Sequence, residues 1–182
     1  MHQALLLVDV QNDYFEQGRM ELVGMDPAAE NCRRILQSFR QRQAPLFHIQ
    51  HIANYPHAPF FSPDTEGVKT HNSVVPEQGE PLVIKHYPNA FRETALHSLL
   101  KNAQIEEVVI CGAMSHMCID TTTRAAFDLG YRCQVISDAC ATRDLVFNNR
   151  TIKAEDVHAA FMSALSAPFA RVMTAGQFLS EQ

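Results

Sequence analysis

Several features are missing from this sequence of 182 residues, and each absence removes a class of function. Neither a G-x-G-x-x-G nor a Walker-type run occurs; Gly18, Gly24 and Gly112 stand alone, so nucleotide binding has no support and no cofactor is expected. No apolar run approaches the roughly 18 residues of a membrane helix. The segment Ala4–Val8, behind Met1-His2-Gln3, is too short for a signal h-region and lacks a basic flank, so no membrane partner and a cytoplasmic location are expected. Basic blocks are confined to Arg33–Arg34 and the Arg40/Arg42 helix face, which reads as solvated. With a formal charge of −5, that argues against a nucleic-acid partner. The five cysteines are odd in number and form no C-x-x-C pair, which excludes a disulfide framework and a zinc ribbon and suits reduced thiols. Nine histidines are present, but no H-x-H or H-E-x-x-H pair. His48 and His51, three apart on or past a strand, point to opposite faces; His51, His57, His71 and His86 read as loop residues lining a pocket or a subunit contact, and no metal is expected.

What is present is an apolar fraction of 46% with 19% charged residues, a globular balance, in a length that suits one domain over 1–182. Six short apolar runs recur: 4–8, 45–49, 81–84, 107–111, 132–136 and 169–173. They are nearly continuous rather than alternating, as strands buried on both faces must be. Helical spacing fills the gaps. Ala28, Cys32, Ile35, Leu36 and Phe39 share a face, behind Asp26 as N-cap and Pro27 at the first helical position. Ala95, Leu96, Leu99 and Leu100 mark a second helix; Ala125, Ala126 and Leu129, closed by Gly130, a third running over 119–129. Val157, Ala160, Phe161, Ala164 and Leu165 give a fourth face, and Thr174-x-x-Gln177 reads as a capping box. Strand and helix thus alternate throughout, which calls for a parallel sheet covered by helices on both faces. The least regular stretch, 53–78, carries four prolines and reads as a binding loop, lid or subunit contact.

Ligands of open parallel sheets bind at the carboxyl ends of strands. Asp9 ends the first run and Lys85 the third; after the fourth come Gly112 to Cys118 and then a helix. Cys118 therefore stands where unpaired N–H groups favour an anion. An ammonium from Lys85 is expected to lower its pKa further, while Asp9 takes the thiol proton and returns it to a leaving nitrogen. Backbone N–H groups of Met114 and Cys118 are the expected oxyanion donors. Cys111 and Cys133, inside strand runs, read as small buried hydrophobes. His116 lies too near Cys118 along the chain to serve easily as its base and reads as loop-anchoring or substrate-facing. Phe15, Tyr87, Phe91 and the Phe60/Phe61 loop are candidate substrate-binding walls beside it.

These residues carry a resemblance. Leu6–Phe15, Lys85–Phe91, Gly112–Ala126 and Gly130–Ala139 match, in order, blocks of the isochorismatase-like cysteine hydrolase superfamily, which includes nicotinamidases and N-carbamoylsarcosine amidohydrolases. The resemblance spans essentially the whole chain. It implies a three-layer α/β/α sandwich around a six-stranded parallel sheet of order 3-2-1-4-5-6, assembled as a homodimer or larger homo-oligomer. It maps Asp9, Lys85 and Cys118 onto the family's catalytic triad, and Ala113–Met114 onto a cis peptide beside the oxyanion hole. Lys85 must then reach inward from an outer strand. Two departures narrow the expectation. Isochorismatases, which hydrolyse a vinyl ether, lack the nucleophilic cysteine, and the Asp-x-His pair of metal-binding nicotinamidases is not supplied by Phe47–Asn54. The wording around Cys118 is similar to streptothricin hydrolase-like members, which open a lactam. An amide-type C–N hydrolase acting on a small molecule is the expectation. The rivals are a C–O hydrolase using Asp9 as acid and a non-catalytic binding protein.

Overall fold

The computed structural model describes residues 2–182. Six parallel strands form the central sheet: β1 (Gln3–Val8), β2 (Leu46–His51), β3 (Leu82–Lys85), β4 (Glu107–Ala113), β5 (Arg132–Ala141) and, last in the chain, β8 (Arg171–Met173). Their order is β3-β2-β1-β4-β5-β8, the expected arrangement once a separate two-stranded hairpin, β6 (Leu145–Phe147) and β7 (Arg150–Ile152), is set aside. That hairpin went unforeseen because each of its strands has three residues, too few to show a period.

The central strands read as continuous apolar runs because both their faces are covered. Leu5 and Leu7 of β1 join one core with Val109 and Cys111 of β4. Above it lie Cys32, Ile35, Leu36 and Phe39 of α1 (Met25–Gln41) and Phe178 of α5 (Ala175–Ser180). Ala4, Leu6 and Val8 face the other way, into a core with Val108 and Ile110. Leu96 and Leu100 of α2 (Leu96–Asn102), Ala126 of α3 (Asp120–Asp128), and Met162 and Leu165 of α4 (Ala154–Leu165) close that side. Each of these buried leucines contributes about 1.5–3 kcal/mol through removal of apolar surface from water.

Local differences have local causes. Helix α1 opens at Met25 behind Gly24, which adopts φ 73, so Asp26 and Pro27 lie inside the first turn rather than at its cap. Proline fits there because first-turn N–H groups have no helical acceptor. The Thr174/Gln177 capping box forms as expected. On α4, Ala160 and Ala164 face solvent while Ala154, Val157, Met162 and Leu165 are buried, a rotation of the expected face. The sixth sheet strand begins at Arg171, and β5 runs on to Ala141 after an irregularity in its pairing between Ile110 and Gly112. Arg40 is not simply solvated: it reaches across to Glu80 at 2.7 Å. Among the described residues no helix is long and apolar enough to cross a membrane.

Candidate active site

Asp9, Lys85 and Cys118 meet at the carboxyl end of the sheet, although they come from three strands. Asp9 follows β1 directly in a left-handed conformation, φ 53, which turns the chain at once; aspartate tolerates this region better than most residues. Gly112 allows β4 to lie against it. A Cβ there would stand 1.9 Å from the Val8 carbonyl oxygen, and its φ of +124° belongs to glycine. Beyond the cis Ala113–Met114 peptide the chain enters a wide π-type turn over Ser115–Ile119 before α3 begins, so Cys118 sits within this turn rather than just ahead of the helix. Met117 and Ile119 donate their N–H groups to the Met114 carbonyl at 3.0 and 3.2 Å. Among the described residues no backbone acceptor takes the Met114 N–H.

Lys85, the last residue of edge strand β3, reaches past β2 to the centre. Its Nζ lies 2.8 Å from Asp9 Oδ2 and within hydrogen-bonding reach of Tyr87 O at 3.0 Å, His51 Nδ1 at 3.0 Å and Cys118 Sγ at 3.3 Å. Asp9 and Lys85 are fully buried and Cys118 retains 3% exposure, so water screens none of these charges well. The Asp9 carboxylate meets Lys85 as an ion pair but accepts no well-directed hydrogen bond from any described residue, and its Oδ1 has no partner at all.

The electrostatics correct one expectation. Burial pushes the Cys118 thiol up, and the negative charge of Asp9 pushes it the same way; Lys85 opposes both without prevailing. Burial disfavours the charge on Lys85, but Asp9 and Cys118 outweigh it and hold the ammonium protonated above its usual range. Burial and the Lys85 charge lower His51 to about 4, leaving a neutral ring whose Nδ1 can accept. Tyr14, 1% exposed, is raised chiefly by burial.

His51 was expected only as a loop residue at a pocket or subunit contact, not as a partner of Lys85. Its position at the end of β2, paired in register with Lys85, was visible only once β2 lay between β1 and β3. Gln11 fixes it from both sides: His51 N donates to Gln11 Oε1 at 2.8 Å and Gln11 Nε2 donates to His51 O at 2.9 Å. The expected divergence of His48 and His51 is observed, with His48 Nε2 2.8 Å from Glu80. The loop histidines do not converge. His71 bonds Ser73 Oγ, His86 lies on the Ile52 carbonyl, and His57 is exposed.

The expected wall residues divide. Tyr87 contributes its carbonyl to Lys85 while Arg92 stacks over its ring at 3.5 Å. His116 Nδ1 lies 2.6 Å from Thr142 Oγ1, anchoring the Cys118 turn to the end of β5. Phe15 stacks on His71 at 3.6 Å. Phe91 packs instead toward His97 and Tyr131 in the α2 layer, part of the core. Phe61 lies beneath the site, 4.7 Å from Tyr14 and 5.6 Å from His51 between ring centres. Its N–H is held by Asp13 at 2.6 Å, which ties the 53–78 loop to the residues after β1. Cys32, Cys111, Cys133 and Cys140 are free and buried. Two cavities, about 430 Å³ by Pro45 and Pro81 and about 670 Å³ by Arg132 and Arg171, flank the amino ends of strands, away from this chemistry.

An isochorismatase domain model matches residues 3–177. The chain belongs to the isochorismatase family. An uncharacterised isochorismatase family protein of Bacillus subtilis, YddQ, is 48% identical over 179 residues, covering 98% of this chain and 99% of that protein. A crystal structure from Oleispira antarctica described as an isochorismatase hydrolase superposes with a TM-score of 0.95 at 49% identity, covering 98% of this chain and 96% of that one. A streptothricin hydrolase of Streptomyces noursei is 35% identical over 145 residues, 79% of this chain and 51% of that longer protein. The isochorismatase-like fold and membership of a hydrolase superfamily that includes amidases follow.

Proposed function

We propose that this isochorismatase-family chain is a metal-independent cysteine hydrolase that cleaves an amide-type C–N bond of a small molecule through a thioester, with Asp9, Lys85 and Cys118 as its catalytic residues. The observation that carries this reading is the Lys85 ammonium held between a buried carboxylate at 2.8 Å and a buried sulfur at 3.3 Å. An ammonium has three hydrogens, and four acceptors surround this one. With Asp9, His51 and the Tyr87 carbonyl taking those hydrogens, the Cys118 thiol is left to donate, and Asp9 Oδ1 is the buried acceptor without a partner.

Substrate entry completes the exchange. The Cys118 proton passes to Asp9, one Lys85 hydrogen turns from the neutralised carboxyl to the new thiolate, and sulfur attacks the carbonyl carbon. The Met114 and Cys118 N–H groups hold the oxyanion. The C–N bond breaks as Asp9 protonates the nitrogen; water, deprotonated by Asp9, then hydrolyses the thioester, and the proton returns to sulfur. Phe15 and His116 remain the residues we assign to substrate contact. Relatives named streptothricin hydrolase and nicotinamidase support a C–N bond as target. Five free, buried thiols suit a cytoplasmic setting, and the exposed Val146 and Phe147 of the hairpin suit a homo-oligomer.

The test is direct. Cys118→Ala and Cys118→Ser lower kcat about a thousandfold or more while the circular dichroism spectrum stays unchanged. Mass spectrometry of the native enzyme quenched during turnover of small amides, lactams or carbamoyl compounds shows an acyl adduct on Cys118. Full turnover by the alanine variant ends the reading.

A further inference from the structure

The Lys85 ammonium occupies the centre of a donor set that is otherwise that of a transition-metal site. Asp9 offers a carboxylate oxygen, His51 a ring nitrogen and Cys118 a sulfur, and these three atoms all lie within 4.8 Å of one another. Oxygen, nitrogen and sulfur from three separate strand ends is the mixture that borderline-soft divalent ions prefer, with three protein ligands leaving a fourth position open. A second observation points to room for more positive charge: Asp9 is fully buried, and neither of its carboxylate oxygens accepts a well-directed hydrogen bond from a described residue.

We propose that Asp9, His51 and Cys118 form a latent site for a thiophilic divalent cation such as Zn²⁺, for which Lys85 is the resident substitute, and that such an ion blocks the reacting groups by displacing the ammonium. The donors now stand about an ammonium at 2.8 to 3.3 Å. Zinc asks for about 2.0–2.3 Å, so each ligand moves inward by roughly 1 Å. Gln11 bonds both backbone groups of His51, which keeps its Nδ1 aimed inward as the ligand set contracts. The charge balances. Cys118 yields its proton to solvent, two anionic ligands neutralise the ion, and the ammonium either swings out or releases a proton and leaves neutral. Occupation removes both the sulfur and the carboxylate from the chemistry proposed above, so the inhibitory consequence rests on that reading, whereas the binding itself does not.

The experiment reads binding without activity. Purified protein is titrated with Co²⁺ under anaerobic conditions and followed by absorption. Lys85→Ala is expected to bind one equivalent at least tenfold more tightly than the native protein, with visible bands of a four-coordinate ion and a sulfur-to-cobalt charge-transfer band in the near ultraviolet. Adding Cys118→Ser removes the charge-transfer band, and adding His51→Ala weakens binding tenfold or more. If Lys85→Ala does not fold, the native protein at higher Co²⁺ gives the same band, and Cys118→Ser alone abolishes it. A cobalt spectrum without the sulfur band, or one that survives Cys118→Ser, overturns the proposal. Catalytic failure of the thioester scheme would leave these spectra unaltered, so the two ideas fail separately.

Discussion

At the residue scale, the site turns on how one ammonium is shared. His51 touches no reacting atom in the proposed scheme; it holds one Lys85 hydrogen at 3.0 Å and thereby fixes which hydrogens remain for Asp9 and Cys118. It is a positioning residue. His51→Ala is expected to lower kcat by on the order of ten- to a hundredfold with KM nearly unchanged, because the ammonium loses its orientation while the substrate walls stay. His51→Asn, which can present a carbonyl acceptor, recovers part of the loss. Steady-state kinetics of the three proteins checks this, and equal kcat in all three would remove the role. Asp9, Lys85 and Cys118 were legible as candidates because each ends an apolar run or follows a Gly-opened loop. The upward push on the thiol was not. A sequence shows that a cationic neighbour is available, but the depth of burial and the competing carboxylate, which together outweigh Lys85, exist only once the chain is folded.

At the scale of elements, one ion cluster joins the amino ends of β2 and β3 to α1. Glu80, just before β3, accepts two bonds from Arg40 of α1 at 2.7 and 2.8 Å, a third from the Glu77 N–H at 2.8 Å, and lies 2.8 Å from His48 of β2. The Arg40 hydrogen bonds, with those of Glu77 and His48, bring the Glu80 carboxyl down to about 2 against burial that opposes them. The folded pKa thus lies below the ordinary 4.5, so this contribution is complete above pH 4.5 and is lost as pH falls toward 2. Glu80→Gln is expected to cost about 1–3 kcal/mol near neutrality and to flatten the acid limb of the stability profile. Urea melts between pH 2.5 and 7 measure both effects; an acid limb as steep as the native one contradicts the assignment. The strands and their order followed from continuous apolar runs, whereas this cluster did not, because Arg40 and Glu80 are separated by a strand and a long loop. The rotated face of α4 escaped for a different reason: its alanines fit either side of a helix, and the hairpin that sets its start was too short to see.

At the scale of the whole molecule, the two sheet faces are sealed by separate cores, and the chemistry collects along the rim where β1, β2, β3 and β4 end. Of the groups gathered there, Lys85 alone is supplied by an outer strand. That strand has four residues, bonded on one side only, and two of its residues, Leu82 and Ile84, are exposed. Edge strands of this length open more readily than a central strand such as β1. Fraying there withdraws the charge before the cores loosen, so turnover is expected to fade on warming several degrees below the midpoint seen by circular dichroism; coincident curves would contradict it. The charge beside the sulfur thus hangs from the hem of the sheet rather than its heart, and whatever steadies that short ribbon steadies the charge with it.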